Sequence, residues 1–176
     1  EAQQRALYDL VATINRAGAL PDIYHAALEA ICQCQDASRA AILLSDAEGV
    51  MRFRASRGLS ENYRRAVEGH SPWPAGETDP VSIWVDDAAH GTLDLPLRQT
   101  LMEEGIRALA FIPLTYEKRL LGKFMIYYDA PHAFTREELR PAETIASQVT
   151  FAIERRNSAA ALESLVDERT ASLRQA

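Results

Sequence analysis

Four groups of residues in this chain could carry chemistry, and their spacing decides which chemistry. Cys32 and Cys34 are the two thiols. A redox or metal pair is one reading of them, but helix positions i and i+2 point about 200° apart, which rules out a mutual bridge. No further Cys or His lies close enough to complete a metal site, so they read as one core and one semi-exposed cysteine in a reducing compartment. His70 and His90 are candidate axial ligands for haem. Asp86, Asp87 and His90 make an incomplete metal set, and adjacent acids after a strand more often cap a helix or solvate a turn. Trp73, set between two prolines, with Trp84, Leu101, Ile106 and Phe111, could line an apolar cavity in which Asp87 or Arg107 makes the polar contact to a small molecule. The same aromatics could instead fill a core. No Ser/His/Asp set, phosphate-cradling glycine loop or carboxylate pair stands out, so the chain does not read as an enzyme, and neither metal nor cofactor is expected.

Composition narrows the partners. A chain of 176 residues with 47% apolar residues fits one domain with extensions. Its 19 basic and 25 acidic residues give a net charge of −6, and without a basic run nucleic acid is not an expected partner. The longest strongly apolar stretch, residues 108 to 114, falls far short of the roughly 20 needed to span a bilayer. A cytoplasmic domain without direct membrane contact is expected, which leaves room for a membrane-tethered parent.

The elements that must position these residues follow from periodicity. Leu7, Leu10, Val11 and Ile14 mark a first amphipathic helix stopped by Gly18, and Pro21 with Asp22 starts a second, striped by Ile23, Ala27, Ala30, Ile31 and Cys34. An apolar run over residues 40 to 44, the turn Asp46-Ala47-Glu48-Gly49 and alternation over residues 50 to 56 predict a hairpin. Ser60 caps a short helix ending near Gly69. Pro72, Pro74, Pro80 and Pro96 break the middle into loops, where residues 81 to 85 read as a strand, followed by a helix over residues 97 to 104 closed by Gly105. Residues 107 to 114 and 120 to 128 read as paired strands. Thr135-Arg136-Glu137-Glu138 is a capping box, with Phe134 stapled onto Leu139, and Pro141 should kink or restart the helix that begins there.

This order of elements resembles a GAF domain. The resemblance covers about residues 20 to 157 and is carried by Gly69-His70-Ser71-Pro72-Trp73, by Glu104-Gly105-Ile106-Arg107 running into Phe111-Ile112-Pro113-Leu114, by Leu121-Gly122-Lys123-Phe124-Met125, and by Val149-Thr150-Phe151-Ala152-Ile153-Glu154. It implies an α+β fold: a central antiparallel sheet of five to six strands, terminal helices on one face, and loops and short helices over a small-molecule pocket on the other. It also implies a sensory or dimerising role. Bilin-binding members attach the chromophore through a pocket cysteine, and residues 51 to 176 contain none. The cyclic-nucleotide signature is only partly filled, by Lys123, Phe134 and Glu138. Members that reduce methionine sulfoxide need loop cysteines that are missing here.

Residues 158 to 176 resemble the connector helix that joins a sensory domain to its output in bacterial signalling proteins, through Leu162-Glu163, Val166, Glu168-Arg169-Thr170 and Leu173. Ile145, Ala152, Ala159, Val166 and Leu173 recur every seven residues, a seam whose companion column is mostly polar. The chain is therefore expected to comprise a dimerising N-terminal helix (1–19), a sensory domain (20–157) and an exit helix (158–176). It would serve as the input module of a signalling protein, chiefly a two-component sensor histidine kinase, with Pro141, Val166 and Leu173 relaying the pocket state to an output domain. The alternatives are a dimerisation module with a vestigial pocket, or the input of a diguanylate cyclase or transcription regulator. A parallel homodimer is expected through the apolar edge Ala2, Ala6 and Ala17 of the first helix and through the exit helix.

Overall fold

Strands with alternating apolar residues make a sheet with two faces to bury, and here both faces are covered. The computed structural model describes residues 1–16 and 19–175; Ala17 and Gly18, and with them the expected helix stop and one residue of the expected dimer edge, lie outside the described residues. The elements are α1 (Ala2–Arg16), α2 (Leu20–Gln35), β1 (Arg39–Ser45), β2 (Met51–Arg57), α3 (Glu61–Val67), β3 (Ile83–Val85), α4 (Leu95–Glu104), β4 (Ala108–Tyr116), β5 (Arg119–Tyr128) and α5 (Arg136–Gln175). The five strands pair antiparallel throughout in the order β2-β1-β5-β4-β3.

Period-two alternation assigns the faces. Ala40 and Ile42, Ala110 and Ile112, and Phe124 and Ile126 pack beneath α2 and the first half of α5, with α1 laid against those helices. Their neighbours Ala41 and Leu43, Leu109 and Phe111, and Met125 and Tyr127 face the loops with α3 and α4. At Gly122 there is no room for a side chain, because a Cβ there would stand 2.1 Å from the Leu43 carbonyl oxygen.

Local signals set the boundaries. The Asp46 carboxylate accepts the Glu48 and Val50 amides in the first hairpin turn, the Ser60 hydroxyl accepts the Tyr63 amide at the start of α3, and Gly105 ends α4 at φ +86°. In the capping box, Thr135 Oγ1 accepts the Glu138 amide at 3.1 Å while the Glu138 carboxylate accepts the Thr135 amide at 3.3 Å.

Two expectations change. α5 runs unbroken through Pro141 without a restart. Proline deprives the Glu137 carbonyl of its intrahelical donor, and in that loosened turn the neighbouring Glu138 carbonyl takes a hydrogen bond from buried Gln35 Nε2 at 2.8 Å. Gln35 is held in turn by the Tyr128 hydroxyl, which donates to its carbonyl at 2.7 Å, so β5, α2 and the first turns of α5 are joined. The second concerns α1. Ala6 is buried with Leu10 and Ile14 against α2 rather than exposed on a free edge, so the buried stripe is rotated by one position from the expected Leu7 and Val11. Ala2 remains exposed.

Candidate functional site

On the loop side of the sheet, β1, β4 and β5 supply the floor of a small enclosed cavity, and α3, α4 and the loop after α3 supply its cover. Leu43, Leu109, Phe111, Met125 and Tyr127 rise from the sheet, and Tyr63, Val67, His70 and Leu97 come down on them. The cavity measures about 10 Å³, close to the least that holds one water. Tyr63 and Tyr127 meet edge to face at 6.0 Å, and burial raises both phenols, Tyr63 to about 12.

One member of this set is a cation. Lys123 follows Gly122 on β5, pairs with Leu43 of β1 and Pro113 of β4, and shares its face with Met125 and Tyr127. Its residue exposure is 3%. Nζ donates to the His70 carbonyl at 2.5 Å and stands 5.5 Å from the centre of the Phe111 ring, a cation–π distance. Desolvation alone lowers its pKa to about 8, and it forms no salt bridge with a carboxylate among the described residues. The His70 ring lies 6.0 Å from Phe111, and burial, then the charge of Lys123, lowers its pKa. The loop that follows is anchored by Trp73, whose indole donates to the Val81 carbonyl at 2.9 Å.

Of the seven residues expected at a pocket, Phe111 lines this cavity. Trp73, Leu101 and Ile106 are buried in the same loop-side core without lining it. Asp87 and Arg107 are brought together away from it: Arg107 Nη2 donates to Asp87 Oδ1 at 3.1 Å, and Arg107 braces its own strand end, its amide donating to the Tyr128 carbonyl while its carbonyl accepts the Ala88 amide. His90, the Ala89 amide and Arg107 hold the Asp87 carboxyl down at about 2. Trp84 pairs with Ala110 and packs on the helix side, the opposite face of the sheet. His90 stands in solvent, its side chain 79% exposed, and among the described residues no group of three or more His, Cys, Asp or Glu is placed to hold a metal ion. Both cysteines are free and half-buried on α2, far from the cavity in the fold, and burial raises both thiols.

Sequence reasoning missed Lys123, Tyr63 and Tyr127 as parts of one site. The signal available was alternation, since a lysine two residues before Met125 and four before Tyr127 shares whichever face they bury.

The GAF domain family model matches residues 18–154. This chain belongs to the GAF domain family. Its GAF domain is similar to a solved domain assigned to a two-component sensor histidine kinase of Sinorhizobium meliloti 1021, at 45% identity and TM-score 0.78 over 84% of this chain and 99% of that one. The GAF domain of a phosphoenolpyruvate-protein phosphotransferase from Coxiella burnetii shares the fold at 19% identity, TM-score 0.72, covering 91% of this chain and 97% of that one. A far-red-absorbing domain solved in its dark state with bound biliverdin does so at 15% identity, TM-score 0.71, covering 85% and 98%. No curated protein matches the chain. The α+β fold with a five-stranded antiparallel sheet is thus that of the GAF family, within the expected range of five to six strands. No helix among the described residues is long and apolar enough to cross a membrane.

Proposed function

We propose that this GAF domain is a sensory input module of a cytoplasmic signalling assembly of the sensor histidine kinase type, non-enzymatic itself, which passes the state of its loop-side cavity to an output domain through α5. The observation that carries this reading is the 45% identity, over 84% of this chain and 99% of the other, to a domain assigned to a sensor histidine kinase. The geometry of α5 supports it. Residues 158 to 175 are all exposed and project about 27 Å at 1.5 Å per residue, with Leu162, Val166 and Leu173 between 55% and 72% exposed. Ile145 and Ala152, the first two members of the heptad column, are taken up by the domain's own core, which leaves the later members for a partner helix.

A parallel homodimer through this stretch is the arrangement that buries the column. Sedimentation should find a dimer that the double variant Val166→Glu, Leu173→Glu converts to a monomer; a parent protein that is monomeric up to high micromolar concentration removes the dimer from the account. The relay has a short covalent path, since β5 passes through residues 129 to 135 into α5, and Pro141 is the joint. Pro141→Ala restores a backbone donor for the Glu137 carbonyl, stiffens the turn and is expected to blunt the signal response of the full-length protein. An unchanged response with normal expression would leave rigid-body rearrangement of the dimer as the route.

The second reading, a dimerisation module with a vestigial pocket, draws support from the cavity volume of about 10 Å³. Native mass spectrometry separates the two: a small molecule retained by the purified protein favours sensing.

A further inference from the structure

The charge on Lys123 forms no salt bridge with a carboxylate among the described residues. An ammonium offers three donors, and at 3% exposure one of them goes to a neutral acceptor, the His70 carbonyl. The Phe111 ring lies beside it, and the Tyr63 and Tyr127 phenols and the His70 ring line the same cavity. Buried cations are ordinarily paired, because an isolated charge in a low-dielectric site is costly. A surplus of one positive charge on a wall of aromatic faces is the complement of a singly charged anion on a flat body. A dianion would need a second cation, and none lines this cavity.

The cavity as it stands holds no more than about one water, so a ligand must take space from its cover. The piece held by Lys123 is also the piece in the way. The His70 carbonyl is its acceptor, and the His70 ring sits over Phe111 at 6.0 Å. A carboxylate is a stronger acceptor for an ammonium than a neutral carbonyl, since a hydrogen bond between two charged groups is shorter and stronger than one with a single charged partner.

We propose that Lys123 anchors a small planar monocarboxylate, which takes the place of the His70 carbonyl on Nζ and lifts residues 70 to 74 off the sheet so that its flat body occupies the space the His70 ring leaves. This rests on the reading of the domain as a sensory module and names the chemical class it senses. It makes residues 70 to 74 a lid latched by the group that recognises the ligand.

The probes are acetate and benzoate with their neutral isosteres acetamide and benzamide, titrated calorimetrically and by thermal shift against the protein and its Lys123→Met variant. A Trp84→Phe background leaves Trp73 as the single indole reporting the lid. Benzoate is expected to bind at least tenfold more tightly than benzamide, to shift Trp73 emission to longer wavelength, and to lose tenfold or more of its affinity in Lys123→Met. Equal binding of benzoate and benzamide, or retention of benzoate by Lys123→Met, overturns the assignment while leaving a ligand pocket and the sensory reading in place. Tighter binding of inorganic phosphate than of benzoate overturns it likewise. If neither charged nor neutral probe binds, the carboxylate assignment fails, and the sensory reading stands or falls on the retained-ligand and signal-response measurements.

Discussion

Gly122→Ala lowers the stability of the domain by about 3 kcal/mol or more, at the upper end of overpacking substitutions. The added Cβ would stand 2.1 Å from the Leu43 carbonyl oxygen, 2.9 Å from the Leu44 Cα and 3.0 Å from the Leu43 carbonyl carbon. All three neighbours are backbone, so no rotamer change relieves the clash. β1 and β5 must separate, and they are paired from Arg39↔Tyr127 to Leu44↔Gly122 in the middle of the sheet. Gly49→Ala is the matched control. That residue has φ +81° with nothing within 4 Å of its would-be Cβ, so alanine there meets only the left-handed backbone cost of about 1–2 kcal/mol. Urea unfolding measures both. A Gly122 variant no less stable than the Gly49 variant would mean that the strands yield at little cost.

The second large effect is a gain. Lys123→Met is expected to stabilise the protein by about 2 kcal/mol at pH 7, and the difference should fade as the pH rises. The lysine pKa is lowered from 10.5 to about 8 in the folded protein. Below pH 8 both folded and unfolded chains hold the proton, and the folded state bears the full desolvation cost of roughly 3 kcal/mol. Between about 8 and 10.5 the folded protein has released it while the unfolded chain still binds it, so wild-type stability climbs with pH. Methionine matches the lysine stem without the charge, although the His70 carbonyl loses its donor, at a cost of about 1 kcal/mol. The other titratable groups that line the cavity do not reverse this sign. His70 is lowered and therefore neutral above pH 7, and the Tyr63 and Tyr127 phenols are raised and stay protonated through the window. Urea unfolding at pH 7 and pH 9.5 checks it, and parallel stabilities of the two proteins at both pH values would sink the account.

Much of the fold was legible because its boundaries are written in short-range chemistry. Ser60, Gly105, Asp46 and the Thr135–Glu138 box act within four residues of themselves, and each sits where its side chain or φ requires. The pocket was less legible because it depends on which face each strand presents. Within residues 81 to 85 alternation already separates Trp84 from Ile83 and Val85, but the sequence does not say which of them faces the loops. That is settled by register with β4: Ile83 pairs with Phe111 and Trp84 with Ala110, so Trp84 and Phe111 could never share a cavity. The place of Lys123 in the cavity was hidden for a different reason. In the sequence the lysine fills only part of the cyclic-nucleotide signature, and its burial follows from β5 lying third of five in the sheet, a property of topology and not of the strand. Pro141 reads as a kink or a restart on its missing donor alone, whereas α5 runs on through it, tied at the neighbouring Glu138 carbonyl to Gln35, a residue more than a hundred positions away.

The strand order also sets a timetable for folding. β1–β2 and β4–β5 are hairpins whose turns close over a few residues, whereas the β1–β5 seam joins Arg39 to Tyr127 and Leu44 to Gly122. Bringing such distant segments together carries a loop-closure entropy that only the completed seam repays, and topologies rich in distant pairings fold slowly for that reason. The two hairpins are therefore units that can form early, and the domain comes into being when they dock. The strand faces lining the loop-side cavity come from both units, so the cavity does not exist in either hairpin alone and is among the last features of the molecule to form.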